Sequence, residues 1–396
     1  EKGRKVLNSL RGPLTCVRIP ILLRVKIITA ILLPVLAYGG ELWGMSEERV
    51  KEPQRVLSEA LRLLWKLGPR SSVVSSALLG VELEIPPVFA VVCAARARGY
   101  RKFSELRTTI AKLVQHPPTT RRRTWVTGTK GWLRRYCPLA SATNIVETAR
   151  LVKASVWDRV NKNSGGKSFE SYHGLNMEST RLYTKLGAHY PQLARGFHWL
   201  GRLRLGSFWT AKKFVRIGWI SVEFRTKCPF CLVEGGGEDE AHFLLECAAW
   251  AESREKFMGE LVSENGIAWF NLLGGSREGG GLSEDTLKLR WCPRDNEFHP
   301  ETELQDGNEA IQGVDNDNGM LGCVQVSRYL QHVVPMRMRR LKPLLEAPRA
   351  DANNNGMAVL VADGNPVEIE NVVETPISPG EPDAADTRRG IVVPIL

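Results

Sequence analysis

Apolar positions recur at helical spacing over much of the first half of this chain. Between Arg55 and Leu67, the residues Val56, Leu57, Ala60, Leu61, Leu64 and Leu67 fall on one side, and Arg55, Glu59, Arg62 and Lys66 on the other. Groups three and four residues apart share a stripe along a helix, so the pattern predicts an amphipathic helix with one buried face. The run from Arg18 to Leu33 is apolar apart from charges such as Arg24 and Lys26, and is expected to stop at Pro34, which lacks a backbone donor and crowds the preceding turn. Tyr38-Gly39-Gly40 reads as a turn leading into Glu41-Leu42-Trp43. Helical patterning continues over 71–115 with a break at Pro86-Pro87, and returns over 145–160.

Beyond about Gly259 this periodicity fails. Gly274-Gly275 and Gly279–Gly281 interrupt it, the stretches 306–318 and 351–355 are polar and acidic, and 376–386 is rich in Pro, Gly and Asp. Too little apolar area remains there to offset chain entropy, so residues 259–396 are expected to be acidic and mostly disordered. One basic island, Arg328 to Lys342, predicts a short helix split by Pro335. The expected fold is mainly α. Residues 1–70 form a helical segment, 71–200 a basic helical linker, 201–258 a small metal-binding knuckle, and the tail follows.

Charge sharpens this division. The net charge of +11 conceals a front portion, residues 1–227, with 40 Lys and Arg against 14 acids; residues 228–396 hold 14 against 29. Such a cationic segment draws polyanions, and RNA or DNA is the natural partner. Basic residues interleave with aromatics in two stretches. The first holds Arg121, Arg122, Arg123, Lys130, Arg134 and Arg135 with Trp125, Trp132 and Tyr136. The second holds Arg202, Arg204, Lys212, Lys213 and Arg216 with His198, Trp199, Phe208, Trp209 and Phe214. These cations are candidate phosphate contacts, while the aromatics, taken one by one, fit a core better than a base-stacking platform. No membrane role is expected, because the longest uncharged apolar run, residues 27–40, falls short of the roughly 18 residues a spanning helix needs.

The chemistry concentrates in one motif. Cys228-Pro229-Phe230-Cys231 is followed after ten residues by His242 and after four more by Cys247. Zinc takes four tetrahedral ligands from thiolate and imidazole, and two cysteines separated by two residues can face one ion from a tight turn. Gly235-Gly236-Gly237 would return the chain, and a short helix over 239–246 would bring in His242 and Cys247, provided it ends at Cys247. Four protein ligands leave no open position, so the site is expected to be structural. Unpaired thiols beside a surface histidine are the plainer alternative. Cys292 and His299 lack a partner pair. The eight cysteines are otherwise scattered, which fits a reducing compartment, nuclear or cytoplasmic. There is no Asp-Asp pair, Walker A loop, His-Glu-x-x-His or Gly-x-Ser-x-Gly, so no catalytic residue is assigned, and Glu82 and Glu84 read as surface charges.

Two segments carry a family resemblance. Ile31-Leu-Leu-Pro-Val-Leu-Ala-Tyr-Gly-Gly-Glu-Leu-Trp43 resembles the stretch that follows the palm and opens the thumb in non-LTR (LINE-type) retrotransposon reverse transcriptases, on Pro34, Tyr38, Gly39, Glu41 and Trp43. Leu203-Arg-Leu-Gly-Ser-Phe208, with Cys228, Cys231, His242 and Cys247, resembles the zinc-binding segment towards their C-terminus. The likeness covers residues 1 to about 258 and implies a thumb-like bundle, a zinc knuckle, and contact with template–primer or target nucleic acid. Fingers, palm and the Tyr-x-Asp-Asp carboxylates have no counterpart, and neither does the family's nuclease motif. The chain is therefore expected to be a piece of a longer polymerase that binds without catalysing. A stand-alone zinc-knuckle binding protein and a non-functional retroelement relic are the alternatives.

Overall fold

Arg24 shows how the first helices lock together. In the computed structural model it lies fully buried, its Nε donating to Ile19 O at 3.0 Å and its Nη1 to Leu14 O and Leu64 O at 3.3 and 2.8 Å. One guanidinium thereby satisfies carbonyls at the ends of two helices, where the backbone lacks partners and favours a cation. The structure describes residues 1–68, 74–117, 119, 124–139, 144–162, 172, 186–187, 189–259, 267–268, 273, 289–292, 297–300 and 315–346. It is mainly helical.

The opening bundle comprises α1 (Lys2–Ser9), α2 (Arg11–Thr15), α3 (Ile21–Ile27), α4 (Leu33–Leu36), α5 (Gly40–Trp43) and α6 (Glu47–Leu64). Val56, Leu57, Ala60, Leu61 and Leu64 of α6 are all buried, with Leu67 beyond its end, which matches the apolar stripe. The expectation for Pro34 fails. The helical path runs through it, because a wider π-type turn at Ile28–Leu32 precedes α4 and seats the proline in that helix's first turn, where its missing donor costs least. Gly39 takes φ +70, which favours glycine, and turns the chain into α5.

Next come α7 (Ser76–Glu82), α8 (Val88–Ser104), α9 (Thr109–Gln115), α10 (Trp125–Tyr136) and α11 (Ile145–Lys162). α5 and α11 pack on α8. A Cβ on Gly40 would lie 2.8 Å from Val92 Cγ1, and one on Gly44 2.3 Å from Val92 O, so α5 approaches α8 closely only because these positions are bare. Trp125 Nε1 donates to Glu41 O at 2.9 Å, tying α10 to the same corner. The helical patterning that follows Pro86-Pro87 and runs to 115 divides into two helices, since Thr108 caps α9 through the Ala111 amide.

The final helices are α12 (Ala194–Arg204), α13 (Ala211–Arg216), α14 (Ala251–Met258) and α15 (Asp315–Glu346). A three-stranded antiparallel sheet joins β1 (Ile267–Ala268), β2 (Leu289–Cys292) and β3 (Glu297–Pro300) in that order, pairing Ile267 with Trp291 and Cys292 with Glu297. Within the tail, the short helix expected at Arg328 to Lys342 and split at Pro335 is one longer helix over 315–346. Val326, Tyr329, Leu330, Val333 and Leu341 are buried and belong to the same hydrophobic core as Leu7 and Leu57, and the helix runs through Pro335. Single positions in that helix face α12, an arrangement that local composition does not reveal. The rest of 259–396 lies largely outside the described residues.

The crossing of α12 and α15 depends on Gly196. A Cβ there would meet Ser327 O at 2.1 Å, whereas a Cβ on exposed Gly131 of α10 meets nothing within 4 Å. Gly196→Ala is expected to force the helices apart and cost roughly 1–3 kcal/mol, the usual range for overpacking. Gly131→Ala should instead gain up to about 1 kcal/mol from helix propensity. Chemical denaturation of both variants checks this; equal midpoints for the two would contradict the described crossing.

Candidate metal centre

Four donor atoms from two segments meet beside α13. The first segment is a tight loop anchored by a bridge between Lys227 and Glu234, with Cys228 N bonded to Val233 O at 3.1 Å and Leu232 N to Cys228 O at 3.0 Å. The glycine turn then returns the chain. Gly235 and Gly237 adopt φ +111 and +44, and the Gly235 and Gly236 amides both donate to Thr226 O.

The second segment solves a geometric difficulty. An α-helix would rotate His242 and Cys247 to different faces, since five residues advance the chain by about 500°. The structure instead forms a π-type turn at His242–Glu246, closed by Cys247 N donating to His242 O at 2.8 Å. A hydrogen bond spanning five residues places Cys247 over His242. The helix ends at Cys247, as the motif requires. Asp239 Oδ1 accepts from His242 N at 3.0 Å and fixes the start of the turn.

The ligand atoms of Cys228, Cys231, His242 and Cys247 all lie within 4.8 Å of one another, close enough to hold one metal ion. Cys228 Sγ and Cys247 Sγ are 3.8 Å apart, and Cys231 Sγ lies 3.4 Å from His242 Nε2. A tetrahedral zinc ion with bonds of about 2.3 Å to sulfur and about 2.0–2.1 Å to nitrogen has edges of about 3.8 and 3.6 Å, close to these two separations. His242 Nδ1 lies 3.2 Å from Glu246 Oε2, which turns Nε2 toward the sulfurs.

The protons follow the same geometry. The Cys247 thiol donates to Cys228 and His242 adds a second hydrogen bond, which pushes Cys228 down to about 3, while Cys247 itself is raised by the reciprocal contact. The Cys228 thiolate, with Cys231, pushes His242 up to about 9. Phe243 and Leu244, which lie between His242 and Cys247, join the main core. Both are fully buried, and Phe243 stacks on Phe208 with centroids 5.1 Å apart.

The candidate phosphate contacts divide sharply. Lys130, Arg134 and Arg135 on α10 and Arg216 on α13 are exposed and make no ion pair among the described residues. Lys212 pairs with Asp239 at 2.8 Å, and half-buried Lys213 pairs with Glu240 and donates to Gly206 O and Phe208 O. Arg121, Arg122 and Arg123 lie outside the described residues. Arg202 and Arg204 are corrected outright, because both are buried. Arg202 donates to Ser207 O at 2.8 Å, and burial pushes it down to about 10. Arg204 Nε and Nη2 grip the Glu82 carboxylate at 2.8 and 3.1 Å, and that carboxylate also accepts from Tyr172. Glu82, which reads as a surface charge in sequence, is the buried counter-ion. The pair spans 122 positions, and nothing local marks it.

Comparison with protein-family models, with curated proteins and with solved structures finds no match.

His198, from the second basic stretch, is fully buried, lies 5.6 Å from the Trp65 ring at an interplanar angle of 24°, and bonds through neither ring nitrogen among the described residues. Burial, with Arg24, Arg202 and Lys66 nearby, holds its pKa well below the usual histidine value. The unfolded chain binds a proton there below about pH 6.5 and the folded chain does not, so acidification removes up to about 1.4 kcal/mol per pH unit. His198→Phe keeps an aromatic ring and should flatten the loss of stability below about pH 6.5 relative to the parent. Parallel stability curves for the two proteins would refute this.

Proposed function

We propose that Cys228, Cys231, His242 and Cys247 hold one structural zinc ion, and that the chain uses its exposed cations to grip a nucleic-acid backbone. The metal reading rests on the gathering of all four donor atoms within 4.8 Å, with two of their separations close to the edges of a zinc tetrahedron. Three thiols and an imidazole favour zinc over harder cations, which take oxygen ligands. Bound there, zinc supplies no open coordination position; it closes the loop.

The nucleic-acid reading is supported by the distribution of unneutralised charge. Residues 88–136 hold twelve Lys or Arg and one acid, Glu105. Among the cations, Arg98, Lys102, Arg107, Lys112, Lys130, Arg134 and Arg135 are exposed, on α8 to α10 or in the turn between α8 and α9. The aromatics between them are already engaged. Arg159 lies 4.4 Å and Arg135 5.3 Å from the Tyr136 centroid, and Arg96 covers Trp125. Backbone attraction, not base stacking, is therefore the main term, and binding should be salt-sensitive with little sequence preference. This agrees with the resemblance to the thumb and zinc segment of a LINE-type reverse transcriptase, and makes the chain a binding element with no catalytic residue of its own. A stand-alone binding protein would use the same surface.

Replacing Lys130, Arg134 and Arg135 by Gln should weaken binding to single-stranded and duplex oligonucleotides alike. The slope of log affinity against log salt, measured between about 50 and 200 mM, should fall by roughly one for each phosphate that is no longer neutralised. An unchanged slope and affinity in fluorescence anisotropy would remove α10 from the proposed surface.

A further inference from the structure

The same loop that gathers the four metal donors also encloses a guanidinium. Arg337 of α15 is 1% exposed. Its Nε donates to Glu238 Oε1 at 2.6 Å, and its Nη2 donates to Glu238 Oε2 and to Trp209 O at 2.9 Å. Its central carbon sits 5.3 Å from the Phe208 centroid, 5.3 Å from Phe230 and 5.4 Å from Phe243. A bidentate carboxylate together with three aromatic rings is a receptor for a planar cation. Glu238 is itself fully buried and held by the Ala211 amide at 2.7 Å.

The walls of this cage are close chain neighbours of the metal donors. Phe230 lies between Cys228 and Cys231, Phe243 follows His242, and Glu238 occupies the stretch that joins the two donor segments. Tyr329 of α15 adds a hydrogen bond to Phe243 O at 2.9 Å, and Arg340 lies 4.8 Å from the Trp250 centroid. An unpaired buried guanidinium is costly, so the cage accepts Arg337 only when Phe230, Phe243 and Glu238 are all in position. An ion held by all four donors would tie the two donor segments together and so fix the spacing of the walls.

We propose that residues 228–247 form a guanidinium-binding site assembled by the metal, with Arg337 as its intramolecular ligand, so that metal occupancy governs the docking of α15. This rests on the zinc reading above. Linkage makes the effect reciprocal: whatever factor zinc contributes to docking, Arg337 contributes to zinc affinity.

The test uses the full chain. Native mass spectrometry counts bound zinc before and after a chelator, and hydrogen–deuterium exchange follows peptides within 322–346. In the zinc-loaded protein these amides should be protected, and chelation should speed their exchange at least tenfold. Arg337→Lys keeps the charge and loses the planar fork; it should still bind one zinc, with at least tenfold weaker affinity and fast exchange in α15. Exposed Arg339→Gln should change neither. Protection in α15 that survives removal of the zinc overturns the coupling while leaving the metal site intact. A chain that takes up no zinc overturns both. If Arg337→Lys fails to fold, the zinc titration of the unaltered chain decides alone.

Discussion

A metal ion bound by four side chains imposes a constraint that no single helix can meet: donors separated by many residues must converge on one point. Here two segments bring four candidate donors within 4.8 Å of one another. A bridge between Lys227 and Glu234 closes the first around Cys228 and Cys231, and a π-type turn folds Cys247 back over His242 in the second. Phe230, Glu238 and Phe243 are placed as a consequence, and around them sit Phe208, Trp209 and α15. The knuckle is thus a corner of the core and not an appendage. Phe243 faces Phe208 on one side and Tyr329 on the other.

Two buried ion pairs carry this organisation through the rest of the chain. Arg204 with Glu82 joins α12 to α7, and Arg337 with Glu238 joins α15 to the metal loop. Buried pairs add little net stability compared with well-packed apolar residues, but removing one partner strands a charge and costs about 3–5 kcal/mol. Their value here lies in selecting one arrangement of helices. They also explain why a strongly basic chain does not present all its cations to solvent. Arg24, Arg202, Arg204 and Arg337 are consumed in holding carbonyls and carboxylates, while exposed cations lie elsewhere, notably on α8 to α10.

The parts of this structure that are legible in sequence are those governed by local spacing. The stripe of α6, the helix over 145–160, the glycine turn at 235–237 and the set of four metal donors all follow from residues close to one another in the chain. What sequence does not reveal depends on distant partners or on small departures from ideal helices. Pro34 reads as a helix end because nothing marks the π-type turn that accommodates it. Arg202 and Arg204 read as surface cations because Glu82, the counter-ion of Arg204, lies 122 positions away. Of the helix over 315–346 only a short piece at Arg328 to Lys342, split by Pro335, is legible, because its full length and its buried face are defined by contacts with α12 and α14.

The central claim is that three sulfurs and one imidazole surround one ion. X-ray absorption at the zinc edge of the purified, zinc-loaded chain tests it most directly. The expected first shell is three sulfur scatterers at about 2.3 Å and one nitrogen at about 2.0–2.1 Å. A shell of oxygen and nitrogen alone, or fewer sulfurs than three, would contradict it.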